Sequence, residues 1–239
     1  MASRDPPPRA VPLWPLPLVA GLLPAVAALL ALALYAGEGG SSCNPFIGDC
    51  ASISRMARHG LASHLFRALV LPGAVLQALT WLTAAHVFAA AGLTRHDAFL
   101  LALLGICAGV SLVVYGSFLG ADGEAYRWLR RWGTLIYFGG TYLAMLIFAR
   151  ASQRLHAAHR LVLPRSHGRV MLALLAFIAA ISLFHVFAPM VSADLKDRIE
   201  NYTEWWGSLA LTLNFVTMAS LWRRWGLVAS VTQRTGGAS

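Results

Sequence analysis

The sequence predicts an all-α polytopic membrane protein, a bundle of six transmembrane helices with both termini in the cytoplasm. Three observations carry that expectation. Hydrophobic residues make up 58% of the 239 positions and charged residues 12%, against roughly 25% charged in soluble domains. Six uninterrupted apolar stretches occur, at about 16–36, 66–92, 98–119, 132–150, 168–190 and 205–226, each near the roughly 20 residues that a spanning helix needs. The segments between them are short and carry most of the charge.

Residues 1–15 read as a disordered cytoplasmic tail, because the stretch from Arg4 to Pro17 holds six prolines, which lack an N–H and break helices. Arg4 and Arg9 precede the first apolar run as they would in a secretion signal. However, Leu16 to Ala36 is 21 residues, longer than the about 7–15 of a signal core, so the run reads as an uncleaved first span. The five later stretches are too long for the roughly 10-residue alternating strands of a membrane barrel. Helices are the remaining way to satisfy every backbone polar group within lipid. Residues 227–239 form a second disordered cytoplasmic tail.

The charge distribution orients the bundle. Arg4, Arg9, Arg95, Arg150, Arg154, Arg160, Arg165, Arg169, Arg223, Arg224 and Arg234 fall on one side, and Arg55, Arg58, Arg67, Arg127, Arg130, Arg131, Lys196 and Arg198 on the other. The excess places the first group, with both termini, in the cytoplasm. Asp5 and Asp97 accompany it, whereas the other eight acids lie outside. The formal charge of +9 is therefore a membrane flank rather than the basic stripe of a nucleic-acid binder. Arginine in place of lysine, with abundant Ala and Leu, reads as a GC-rich bacterial genome and puts the bundle in a bacterial cytoplasmic (inner) membrane.

Cys43 and Cys50 share the first external loop. A disulfide between them needs the oxidising compartment that an outer face supplies, and two unrelated thiols are the alternative. Cys107, inside the third span, reads as a packing residue. No cofactor or metal site is expected.

Polar groups in lipid are costly and therefore mark candidate sites. Gln77, Ser111, Tyr115 and His185 fall in the outer halves of their spans, Asn214 near the middle of the sixth, and Asn201 and Glu204 at its outer entrance beside Trp205 and Trp206. His86 lies toward the inner side. Blander readings stand beside these. Glu204 at a helix start is favoured by the dipole alone, the tryptophans suit an interfacial belt, and His185 and His86 suit interhelical hydrogen bonds. The segment from Arg150 to Arg169 has five Arg, three His and no acid, which suits either a topology determinant or contact with anionic lipid. No G-x-S-x-G, Walker A, H-E-x-x-H or internal repeat is present.

Two segments resemble a known family. The first external loop reads Asn44-Pro45-Phe46-Ile47 and then Ser52-Ile53-Ser54, and the approach to the last span reads Ile199-Glu200-Asn201-Tyr202-Thr203-Glu204-Trp205. With six helices and internal termini, these look like the superfamily of the damage-regulated autophagy modulators (DRAM), which includes the FGF-receptor-activating protein and the membrane domain of GPI-lipid-remodelling factors. Ile53 and Ser54 match its I-S position, and Glu204 and Trp205 its E-W position. The chain departs from the family in continuing with Arg55-Met56-Ala57-Arg58-His59-Gly60, and this places it on a distant bacterial branch. The resemblance implies a multi-pass protein concerned with membrane lipid and carries over no catalytic residues.

The function expected is the binding or organising of membrane lipid at the non-cytoplasmic mouth. Ser52, Ser54 and Asn201 would supply neutral hydrogen bonds, Glu204 beside Trp205 an acceptor, and Arg67 a phosphate contact. A lipid-remodelling enzyme is the rival, with Glu204 or Asp122 as base and His185 or His59 as proton partner. A small-solute transporter, which needs a polar path past Gln77 and Asn214, is the third reading.

Overall fold

The computed structural model describes residues 9–40, 43–48, 51–187, 190 and 192–231. The first apolar stretch forms α1 (Pro15–Gly37), entered through Pro15 and Pro17, where a missing N–H costs no hydrogen bond. A short helix, α2 (Ile53–Met56), follows the first loop and is capped by the Ser52 side chain, which accepts from the Arg55 N–H. The next two stretches form α3 (Gly60–Ala90) and α4 (Arg95–Phe118), and Thr94 caps α4 by accepting from the Asp97 N–H at 3.1 Å.

The fourth stretch, expected at 132–150, lies within a longer helix, α5 (Glu124–Ala157). Its polar extensions suit the dipole, with Glu124 in the first turn and Arg154 and His156 in the last. The fifth forms α6 (Arg165–Phe187). The sixth, expected from 205, begins earlier as α7 (Ala193–Trp225), because residues 193–204 contain neither Gly nor Pro to stop the helix. Among the described residues five helices, α1, α3, α4, α5 and α6, are long and apolar enough to cross a membrane.

Both tails were expected to be disordered, and the described part of each corrects this. Residues Arg9–Pro12 form β1 and pair antiparallel with β2 (Val228–Val231), in the register Arg9↔Val231 to Pro12↔Val228. Leu13 N–H continues the contact by donating to Leu227 O at 2.9 Å. Each segment satisfies backbone groups that the other would leave open. Residues 1–8 and 232–239 lie outside the described residues.

Successive helices α3, α4 and α5 pack side by side, α1 fits between α3 and α7, and α6 lies against α7. Close approach depends on missing side chains. Gly105 of α4 faces Trp81 of α3 so closely that a methyl there would overlap the tryptophan Cβ, and Gly21 of α1 receives the Phe215 ring in the same way. The seam between α5 and α6 is the loose one. Helix α6 buries Met171, Leu175 and Ile178, while Leu183, Phe184, Val186 and Phe187 beyond them are exposed.

The core has two parts. Toward the paired tails it is aromatic, with Trp81, Phe88, Phe148, Phe215 and Trp222 almost fully enclosed. Toward the first loop it is rich in alanine, with Ala27, Ala28, Ala31, Ala74 and Ala108 beside Phe66, Tyr137 and Trp205.

Candidate functional site

The start of α7 is fastened to the first loop and α2 by four of its side chains. Tyr202 OH donates to Ile47 O at 3.5 Å, Trp205 Nε1 to Ala51 O at 3.2 Å, and Trp206 Nε1 to Phe46 O at 3.1 Å. Glu204 makes the fourth and strongest. Its Oε2 accepts from the Ser54 N–H and its Oε1 from the Ser54 hydroxyl, each at 3.0 Å. Because the Ser54 proton is committed to the carboxylate, the Ser52 hydroxyl at 3.0 Å must donate to Ser54 while accepting from Arg55 N–H. The order is a directed chain, Ser52 to Ser54 to Glu204, ending on the negative charge. The Phe46 ring sits edge-on to both Trp205 and Trp206, with centroids 5.8 and 5.2 Å away. Glu204 accepts both bonds from Ser54, and such bonds are roughly twice as strong as neutral ones when the acceptor is ionised, so Glu204 anchors this clasp.

Glu204 also stands between two hollows. Inside the bundle, a cavity of about 60 Å³ is lined by Glu204, Ser208 and Thr212 on one face of α7 and by Gln77, Tyr115 and Tyr137 from α3, α4 and α5. That is room for a few waters at most. Gln77 donates from Nε2 to Ala20 O at 3.1 Å and to Tyr137 OH at 3.5 Å, and its buried Oε1 has no protein partner among the described residues. On the other side, a groove of about 430 Å³ opens between α5, α6 and α7. Leu135, Phe138, Gly139, Tyr142, Ile178, Ala179 and Ile181 make an apolar body, and Glu200, Thr203, Glu204 and His185 a polar end. Thr134, Phe138 and Glu204 line both hollows.

The sequence candidates therefore separate. Ser52, Ser54, Glu204 and Trp205 meet in the clasp, and His185 joins Glu204 in the groove, its Nδ1 buried and without a partner among the described residues. Asn201 is half-buried on α7 and lines neither hollow, and Asp122 is exposed in the α4–α5 turn. Arg67, expected to meet a phosphate, instead donates through Nη2 to Leu119 O. Arg130 donates to Phe118 O at 3.1 Å and to Ala121 O, so the two guanidiniums together satisfy the carbonyls where α4 ends. His86, read as an interhelical residue, is exposed on α3. Cys43 is described and Cys50 lies outside the described residues, while Cys107 is an exposed free thiol.

The groove residues Glu200, Gly139 and Gly207 were missed. Two glutamates four apart on one helix were legible as a shared face, but nothing in the sequence shows that α6 leaves that face uncovered. No family model matches the chain, and neither a curated protein nor a solved structure is found to be similar to it.

Proposed function

We propose that this is a six-span membrane protein that holds a membrane lipid in the groove between α5, α6 and α7, at the non-cytoplasmic end. The observation that carries the reading is the groove itself. It is partly open, largely apolar along its length and polar at one end, which matches an acyl chain and a headgroup. Its volume falls in the range of about 300–1,000 Å³ common for small-molecule sites. That α7 is the sixth span is supported by the β1–β2 ladder, since tails that pair lie on one side of the membrane only after an even number of crossings. The basic excess on that side supports a cytoplasmic location for both tails. Kinship with the DRAM superfamily belongs to the same proposal and is supported by the clasp, which joins the two segments that carry the resemblance. The arginines of 150–169 are exposed and suit anionic headgroups at the opposite face.

The test is lipid retention. Native mass spectrometry of the purified chain should find bound lipid, and Gly139→Leu should remove it. Gly139 lines the groove, and a methyl added there meets no atom within 4 Å, so a larger side chain starts in open space and takes up room that a lipid would need. Undiminished retention in a folded Gly139→Leu protein rejects the site.

One observation favours a lipid-remodelling enzyme as second reading, namely that His185 and two carboxylates line the same groove. Incubation in nanodiscs followed by lipid mass spectrometry tests it, and an unchanged lipid population removes it.

A further inference from the structure

We infer that the lipid held in the α5–α6–α7 groove carries a primary ammonium headgroup. The inference rests on the lipid-binding reading above and specifies its ligand. Charge is the first argument. Glu200 and Glu204 both line the polar end, and among the described residues no Lys or Arg lines the groove. An anionic headgroup would meet two like charges in a partly dehydrated space, whereas a cation is attracted by both.

Helix geometry is the second argument. Glu200 and Glu204 are one turn apart on α7, a spacing that brings two like charges together and destabilises an isolated helix. A cation lying across both relieves that repulsion. Each Glu204 oxygen accepts one bond from Ser54, and a carboxylate that also lines the groove keeps lone pairs for a further donor.

Hydrogen-bond chemistry is the third argument. The hydroxyls of Thr134, Ser182 and Thr203 and the ring of His185 can each accept as well as donate, and the two carboxylates, when ionised, only accept. An ammonium has three N–H donors and satisfies such a set, whereas a quaternary choline has none. The buried His185 Nδ1, which has no partner among the described residues, adds a further acceptor when the ring carries its proton on Nε2. Depth agrees as well. Helix α5 enters the groove at Thr134 and leaves it at Tyr142, and α6 runs from Ile178 to His185, so the acids stand at the first-loop end, where a headgroup would lie.

The experiment uses the full chain reconstituted in vesicles of equal parts phosphatidylethanolamine, phosphatidylcholine and phosphatidylglycerol, with bound lipid read by native mass spectrometry. Phosphatidylethanolamine should be enriched about tenfold over its bulk share. Glu200→Gln should bring that enrichment near unity, and Glu200→Lys should abolish it in favour of phosphatidylglycerol. Glu200 makes no clasp contact, so these variants keep the Ser54 bonds. Bound lipid in bulk proportions, enrichment of phosphatidylglycerol by the unaltered chain, or enrichment that survives Glu200→Gln overturns the ammonium inference and leaves the groove reading in place. Retention unaffected by Gly139→Leu overturns both.

Discussion

Replacing Glu204 by Gln changes almost no volume and removes one charge, so it isolates the contribution of the clasp. The carboxylate accepts two bonds from Ser54, each at 3.0 Å and each on its own oxygen. Bonds to a charged partner contribute about 1.5–3 kcal/mol, and neutral ones about 0.5–1.5. The amide oxygen keeps the Ser54 N–H at neutral strength, and its NH₂ can bond the Ser54 hydroxyl only if that hydroxyl turns to donate to Ser52, so two charge-assisted bonds become neutral ones. The net expectation is a loss of about 2–4 kcal/mol, which for a chain of this size corresponds to a Tm lower by about 5–12 °C. The effect should be local, and hydrogen exchange should accelerate at 43–58 while the Trp81–Phe148–Phe215 region stays protected. A cycle with Ser54→Ala should show a coupling of about 1 kcal/mol or more. If Glu204→Gln melts with the unaltered chain and leaves 43–58 protected, the clasp does not hold the loop.

Two glycines should respond in opposite directions to the same substitution. Both Gly105→Ala and Gly139→Ala gain about 1 kcal/mol of helix propensity, but the methyl at 105 overlaps the Trp81 Cβ and the one at 139 meets nothing. Overpacking costs about 1–3 kcal/mol, so thermal unfolding in detergent should show Gly105→Ala less stable and Gly139→Ala more stable, and a shared sign refutes the packing described. Arg130→Met should free the carbonyls of Phe118 and Ala121 and cost about 1.5–3 kcal/mol. Faster exchange confined to 118–124 is the expected signature, and unchanged exchange there refutes the turn-clamping role.

The apolar helices were legible because a run such as Leu16 to Ala36 has one stable form in lipid. Their ends were not. Helix α7 starts at Ala193 and α5 at Glu124, in polar sequence where propensity and dipole decide and hydrophobicity is silent. The β1–β2 ladder escaped notice because four residues at each end pair across the whole chain, and neither strand has a partner nearby in sequence. Glu204 and Ser54 stood out as motif residues, but their contact spans 150 positions. Arg67 misled for a plain reason. A guanidinium near a membrane surface suits a phosphate, yet the carbonyl of Leu119 at the end of α4 needs a donor, and a fixed acceptor nearby is sufficient to hold it. The groove depends on the sparse packing of α6 against α5, and this is a property of two surfaces that no single segment encodes.

The uneven filling of the bundle decides how a molecule in the groove arrives. On the side of the paired tails, Trp81 stands between Phe148 and Phe215, with ring centroids 6.4 and 5.5 Å away, and Phe88 closes on Phe148 at 4.9 Å. These rings have little freedom, because the Trp81 and Phe215 side chains are seated against Gly105 and Gly21 at distances that admit no Cβ. Opening a path lengthwise means moving helices apart and losing buried aromatic contacts, each about 0.5–1.5 kcal/mol beyond area burial. That argues against the solute-transporter reading. Parting α5 from α6 disturbs much less, since Leu183, Phe184, Val186 and Phe187 of α6 are already exposed and would only exchange one apolar neighbour for another in lipid. For the proposed lipid, entry from the side, in the plane of the membrane, would be the route of lower cost, and such a route would select ligands already dissolved in the bilayer.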